Sequence, residues 1–283
     1  MAAHERTFVD AWGVEMFYDL YPVDNPRAIV QLQHGIGEHA GRYTHVAAAF
    51  NAAGFTVYAM DGRGHGRTGV KQTGGDLSRL GRLGPGGLDA AVKAMHMMTE
   101  VIAEQNPNTP TVFIGHSMGS LMGQKLLNDY ASDFEAAVLT GTAYRMPGSM
   151  NAGDLNKAFA VPGGSGYEWL SRDPEVAAKF TADPWTFDAD VLKLFGVWDG
   201  LKLFGRPYLH MAEVPILIAV GSADSLGGEE SALKLANSYM YRAKQTDVTV
   251  IIYPDARHEI FNETNKTQVL DDVISWVLER VAR

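Results

Sequence analysis

The chain has 283 residues and no cysteine. A disulfide framework, a thiolate nucleophile and any cysteine-built zinc site are therefore excluded. The same absence suits a reducing compartment. No uninterrupted apolar run reaches the roughly 18 residues of a spanning helix. The opening stretch, MAAHERTFVD, lacks the apolar core of a secretion signal. Basic residues are in the minority, 24 against 33 acidic, for a net charge of −9. That balance argues against a nucleic-acid partner. We expect a cytoplasmic protein, peripheral to a membrane at most. Oligomeric state is not legible at this level.

Apolar residues are plentiful, 46% of the chain. This is enough to bury one large core, or one core carrying an insertion. A short antiparallel hairpin is expected over 7–10 and 15–19, around Trp12-Gly13. Six β-rich runs follow, at 28–32, 56–60, 111–114, 136–139, 215–220 and 248–253. Helical periodicity occupies 43–53, 88–105, 118–130, 231–243 and 267–281. The last shows a stripe of Val269, Val273, Val277 and Val281, flanked by Ile274 and Leu278. Continuous apolar strands alternating with helices predict an α/β fold: a mostly parallel central sheet flanked by helices. The alternation breaks over 144–210, which is rich in Gly, Met and aromatic residues and shows no strand pattern. We expect a core of 1–143 and 211–283, with 144–210 inserted as a cap.

The stretch FIGHSMGS contains Gly115-His116-Ser117-Met118-Gly119, a G-x-S-x-G pattern. The pattern alone is weak, since three fixed positions recur by chance. Its setting is more telling. TVFI precedes it as a short strand, and Leu121, Leu126 and Leu127 follow at helical spacing. Strand, tight turn and helix in that order make a nucleophile elbow, with Ser117 above the carboxyl edge of the sheet.

A serine hydroxyl needs a base, and the base needs an orienting acid. The expected chain order is Ser, acid, His. Only His210 and His258 follow Ser117. His210 precedes a strand and belongs to the wrong edge. His258 follows the last strand, so it is the candidate base. Asp224 follows the strand at 215–220 and is the candidate acid. Asp255 lies too near His258 along one loop to face its imidazole. The predicted triad is Ser117, Asp224 and His258. The developing oxyanion needs backbone N–H donors. Met118 supplies one, and the loop QHGIGEHAGRY supplies Ile36 as the other. His34 is expected to brace that loop by hydrogen bonds. No metal or organic cofactor is called for.

The segments HGIGEHAGRY, DGRGHGRT, GHSMGS, GSAD and RHEIFNE resemble, in order and spacing, the monoacylglycerol lipase and lysophospholipase branch of the α/β-hydrolases. That branch is grouped with the serine aminopeptidases. The likeness runs from about Gln33 to Glu263 and includes the cap segment WLSRDPEVAAKFTADP. It implies the same oxyanion donors, Ile36 and Met118. It also maps a glycerol-facing loop onto Glu38 and Arg42. Some members of the branch carry a second histidine three residues after the base, where this chain has Phe261.

The resemblance implies two-step acyl transfer from a small lipid ester, above all a monoacylglycerol. The cap residues Met146, Met150, Leu155, Phe159, Trp169, Phe195, Trp198 and Phe204 could then line an acyl tunnel. An apolar cap tip would touch micelles or membranes transiently. The same triad also suits a lysophospholipase, a small-ester carboxylesterase, an acyltransferase or an aminopeptidase. The last would need cap carboxylates for a free amine, and Asp154, Glu168, Asp173 and Glu175 are available. A non-catalytic binding protein on this fold would be expected to have lost a triad member.

Overall fold

In the computed structural model, which describes residues 3–281, the β-rich runs assemble into one eight-stranded sheet. Residues 1, 2, 282 and 283 of the expected core lie outside the described residues. The hairpin comes first: β1 (His4–Val9) pairs antiparallel with β2 (Glu15–Tyr21). Asp10 Oδ1 closes its turn by accepting the N–H groups of Trp12 (2.8 Å) and Val14 (2.9 Å). The parallel strands are β3 (Ala28–Gln33), β4 (Phe55–Met60), β5 (Thr111–His116), β6 (Ala136–Thr140), β7 (Ile216–Gly221) and β8 (Val248–Tyr253).

Their spatial order is β1-β2-β4-β3-β5-β6-β7-β8. β3 pairs in parallel with both β4 and β5, so the winding reverses there. Such a switch point leaves a crevice at the carboxyl ends of the strands, where open α/β sheets bind ligands.

The strands are apolar on both faces because both faces are covered. Ile29, Phe113, Ile216, Ile218 and Val220 join one buried cluster with Met95, Leu126 and Leu235. Those residues belong to α3 (Gly87–Gln105), α4 (Met118–Tyr130) and α7 (Gly228–Asn237). Val30, Val112, Ile114 and Leu217 join a second cluster with Val46, Phe50, Val273 and Val277. These come from α1 (Thr44–Ala52) and α8 (Lys266–Val281). The period-2 alternation along each strand thus decides which helices it meets.

Three differences from expectation have local causes. The helix expected over 231–243 gives way to a π-helical turn at Ser238–Arg242. α2 (Gly66–Gln72) escaped notice because glycines obscure its pattern. One of them, Gly69, is required: a β-carbon there would lie 2.4 Å from Gly64. In the segment between β6 and β7, α6 (Val191–Lys202) is broken at Gly196 (φ 76°, ψ 173°), which hid its periodicity.

That segment holds no strand among the described residues. It carries α5 (Pro174–Ala182), capped by the Asp173 side chain, and α6. It is tied down over the carboxyl edge of the sheet. Glu259 N–H donates to Leu170 O (2.7 Å), and Phe187 N–H donates to Gly37 O (3.1 Å). His39 Nε2–H donates to Asp183 Oδ2 (2.8 Å). Among the described residues, no helix is long and apolar enough to cross a membrane.

Candidate active site

β5 runs into α4 through a single residue, Ser117, whose backbone sits at φ 50°, ψ −121°. A non-glycine residue held there costs about 1–3 kcal/mol and persists only where its surroundings enforce it. The two motif glycines provide that enforcement. A β-carbon on Gly115 would lie 2.8 Å from Gly119 O, and one on Gly119 would lie 2.5 Å from Gln33 O and His34 O. Ser117 N–H donates to Thr140 O on β6 (2.9 Å), pinning the turn to the neighbouring strand.

Asp224 and His258 follow the carboxyl ends of β7 and β8. His258 Nδ1–H donates to Asp224 Oδ1 at 2.9 Å, and both side chains are buried. Leu226 N–H donates to the same carboxylate oxygen (2.9 Å) and fixes its orientation. Burial pulls the His258 pKa down, but Asp224, with Glu259 and Glu38 behind it, more than offsets this. The net displacement is upward. His258 Nε2 has no hydrogen-bond partner among the described residues, so no bond to Ser117 Oγ is formed here. His116, beside Ser117, has its ring centroid 4.8 Å from that of His258. Burial, then His258, pushes its own pKa down to about 3, so it is neutral and cannot compete as a charged group. Asp255 is exposed and its N–H donates to Ser222 Oγ (2.9 Å).

The loop after β3 is braced as its sequence suggested. His34 Nδ1–H donates to Gly35 O (2.6 Å), and His34 Nε2 accepts Gly62 N–H (2.9 Å). The peptide bonds are trans. Fixing the Gly35 carbonyl therefore aims the Ile36 N–H the opposite way. Gly35 N–H donates to Glu38 Oε1 (2.7 Å), locking the preceding peptide. A β-carbon on Gly35 would lie 2.9 Å from Ser117 Cβ, so this loop and the elbow approach as closely as glycine allows. Met118 opens α4, and the first N–H groups of a helix have no intrahelical acceptor. Ile36 and Met118, the candidate donors, thus lie beside Ser117 on two different elements.

Glu38 and Arg42 sit side by side but face protein. Arg42 donates to Glu38 Oε2 (2.6 Å) and, in bidentate fashion, to Glu259 (2.7 and 2.8 Å). Tyr43 OH donates to Glu38 Oε1 (2.7 Å). Burial raises the Glu38 pKa, and Arg42 reverses this to leave it low. Trp169 lies on the His258 ring, with centroids 4.6 Å apart. Phe159 lies under the Arg257 guanidinium at 4.3 Å. Phe195, before the α6 kink, lines a narrow cavity with His34, Gly35 and Met118. Trp198, after the kink, is 80% exposed.

Glu259 is the residue that sequence reasoning missed. It stands directly after His258, the candidate base, and ties that loop to Arg42 on the candidate oxyanion loop. Its only signal was a carboxylate beside the base, with a partner more than two hundred residues away.

A family model described as serine aminopeptidase, S33, matches residues 24–265. The chain belongs to this family. It is 33% identical to a monoacylglycerol lipase of Mycolicibacterium smegmatis, over 98% of each chain. It is 26% identical to human monoglyceride lipase, over 97% of this chain and 90% of that one. Among solved structures, a thermostable carboxyl esterase from Bacillus coagulans, in complex with glycerol, superposes with a TM-score of 0.82 at 25% identity, covering 99% of both chains. The monoacylglycerol lipase of Paleococcus ferrophilus gives 0.70 at 23% identity, over 99% of this chain and all of that one, a likeness of fold. Membership of the S33 family accounts for the sheet order and the α/β-hydrolase architecture together.

Proposed function

We propose that this protein is a serine hydrolase of lipid carboxylic esters, with monoacylglycerol as its substrate and fatty acid and glycerol as products. The observation that carries the chemistry is the buried His258–Asp224 pair, with His258 Nε2 unpartnered in the cleft beside the strained elbow of Ser117. Catalytic hydrogen bonds are often long or unformed until substrate binds. The head group rests on the relatives, monoacylglycerol lipases among them, and on the esterase structure in complex with glycerol.

In this mechanism Ser117 Oγ attacks the ester carbonyl while His258 Nε2 takes its proton. The Ile36 and Met118 N–H groups receive the oxyanion. Asp224 stabilises the imidazolium. The C–O bond to glycerol breaks, and His258 returns the proton to the departing alcohol. Water, deprotonated by His258, then attacks the acyl-enzyme and releases the fatty acid. Residues 144–210 act as the cap over the acyl chain, with Phe159, Trp169 and Phe195 as contacts. Glu38 and Arg42 would shape the head-group end through their ion-pair network. The exposed residues Leu192, Val197, Trp198 and Leu201 form an apolar tip on α6 suited to transient contact with a lipid surface.

An aminopeptidase needs a free carboxylate for the substrate amine. The cap carboxylates considered for that role are engaged locally instead, and Asp154 accepts Asn156 N–H (2.8 Å). Asp173 accepts Glu175 N–H (3.0 Å), Glu175 pairs with Lys179 (2.9 Å), and Glu168 accepts from Asn156 (2.8 Å). The test is turnover of monoacylglycerols, nitrophenyl esters and aminoacyl amides side by side, with fluorophosphonate labelling of Ser117. Faster turnover of amides than esters, or an unlabelled Ser117, would sink the proposal.

A further inference from the structure

Arg63 and Arg280, which are buried, and Arg42 and Arg67, which are partly buried, each have a carboxylate partner. Arg63 lies 2.8 Å from Asp10, and Arg42, Arg67 and Arg280 pair with Glu38, Asp61 and Asp247. Arg145 does not follow them. It is 1% exposed, and its guanidinium reaches only neutral acceptors: Gln124 Oε1 from Nε (3.0 Å) and Leu203 O from Nη1 (2.9 Å). Among the described residues, Nη2 has no protein acceptor. A buried charge without a counter-charge is costly.

Arg145 lines a cavity of ≈330 Å³ between α4 and the end of α6. None of the candidate catalytic or oxyanion residues borders it. Lys125 and Arg206 also line it, and neither has an ion-pair partner among the described residues. Lys93 also borders it but is paired with Glu100 (3.5 Å). Two carboxylates face them, Asp89 and Asp129, and Asp89 is already engaged by Lys202 (2.8 Å). Cations therefore outnumber carboxylates here, in a chain whose net charge is −9. Burial, then the neighbouring Arg145, draws the Lys125 pKa down, and Asp89 and Asp129 only partly offset this. Tyr130, Phe204 and Tyr208 give the cavity aromatic walls.

We propose that this cavity is a second binding site, for a small molecule bearing an oxyanion on a planar or apolar body. Arg145 Nη2, Lys125 and Arg206 hold the oxyanion, a phosphate or a carboxylate, and the aromatic walls hold the body. A guanidinium and an ammonium converging on one anion is the usual chemistry of such recognition. Arg145 also grips Leu203 O at the end of α6, while Gln124 lies on the helix that begins after Ser117. The ligand thus sits between the cap and the elbow helix without touching the candidate active site.

Calorimetric titration of the intact protein at low ionic strength tests this, using phenyl phosphate, benzoate and inorganic phosphate, with benzyl alcohol as the neutral control. The expected result is saturable binding of phenyl phosphate or benzoate and none of benzyl alcohol, weakened by added salt. The tighter of the two anions identifies the group recognised. Lys125→Met and, independently, the exposed-site variant Arg206→Ser should each weaken binding about tenfold, while Lys125→Arg retains it. Ser117→Ala should bind as the wild type does. No saturable binding of either anion up to about 10 mM would overturn the proposal. So would binding unchanged in both cation variants, or binding abolished by Ser117→Ala.

Discussion

His34 Nδ1 lies 2.6 Å from Gly35 O, and the same peptide unit carries the Ile36 N–H. His34 therefore fixes the direction of the Ile36 N–H, the proposed oxyanion donor. Replacing His34 by Ala frees that peptide to rotate. Ester kcat should fall by about 10²-fold, the order expected for one lost donor, with KM changed little. His34→Asn, which restores one donor, should recover part of the loss. Steady-state kinetics on a soluble nitrophenyl ester would decide it, and an unchanged kcat in His34→Ala would exclude this role.

Asp224→Asn keeps the shape at the base but no longer fixes the Nδ1–H tautomer or stabilises the imidazolium. The expected loss in kcat is about 10⁴-fold. Far-UV dichroism should stay unchanged, separating lost chemistry from lost fold.

The pH profile carries a sign that can be checked. The His258 pKa is raised above its ordinary 6.5, and only the neutral ring can take the Ser117 proton. Ester hydrolysis should rise through an inflection above pH 6.5. Stability runs the other way. A raised folded-state pKa favours the native state fully below the unfolded value, and that contribution fades as pH climbs through the folded value. Asp224→Asn removes the largest opposition to burial and leaves only Glu259 and Glu38, so any residual activity should inflect at lower pH than in the wild type.

Arg42 sits between Glu38 and Glu259, all three largely buried. Arg42→Met leaves two buried carboxylates facing each other without a cation. Destabilisation of about 3–5 kcal/mol is expected in urea unfolding. Adding Glu259→Gln should recover a good part of it, because the two changes act on one network. Strict additivity of the two variants would refute that coupling.

Trp198 is 80% exposed at the α6 tip. On anionic or zwitterionic vesicles its emission should shift to the blue, as an indole does on leaving water. Trp198→Ser with Leu201→Ser should weaken vesicle binding by about tenfold while leaving turnover of a short soluble ester intact. No shift at any lipid concentration would remove the surface-contact role.

The fold was legible because its signals are local. Thr111–Ile114 and the helical leucines after Ser117 bracket the elbow within a dozen residues, and β-branched runs mark each strand. Asp224 and His258 were legible as residues just past strand ends, once a parallel sheet was assumed. What stayed hidden was pairing across distance. Nothing near Glu259 in sequence announces Arg42, and nothing near Arg145 announces that no carboxylate will meet it. The Gly196 break reads in sequence as loop composition, because a kink shifts the helical phase halfway. Glu38 and Arg42 were legible as a charged pair on one loop, but not their burial under Tyr43 and Glu259.

His258, the proposed base, is fastened through its own main chain to the segment between β6 and β7. His258 N–H reaches Trp169 O (3.4 Å), Glu259 N–H reaches Leu170 O (2.7 Å), and the Trp169 ring rests on the imidazole. A roof hinged at that wall could not swing up without dragging the proton acceptor out of line. An opening for an acyl chain is then expected on the far side, where α6 is broken at Gly196. Doorway and chemistry would then stand at opposite walls of the same roof.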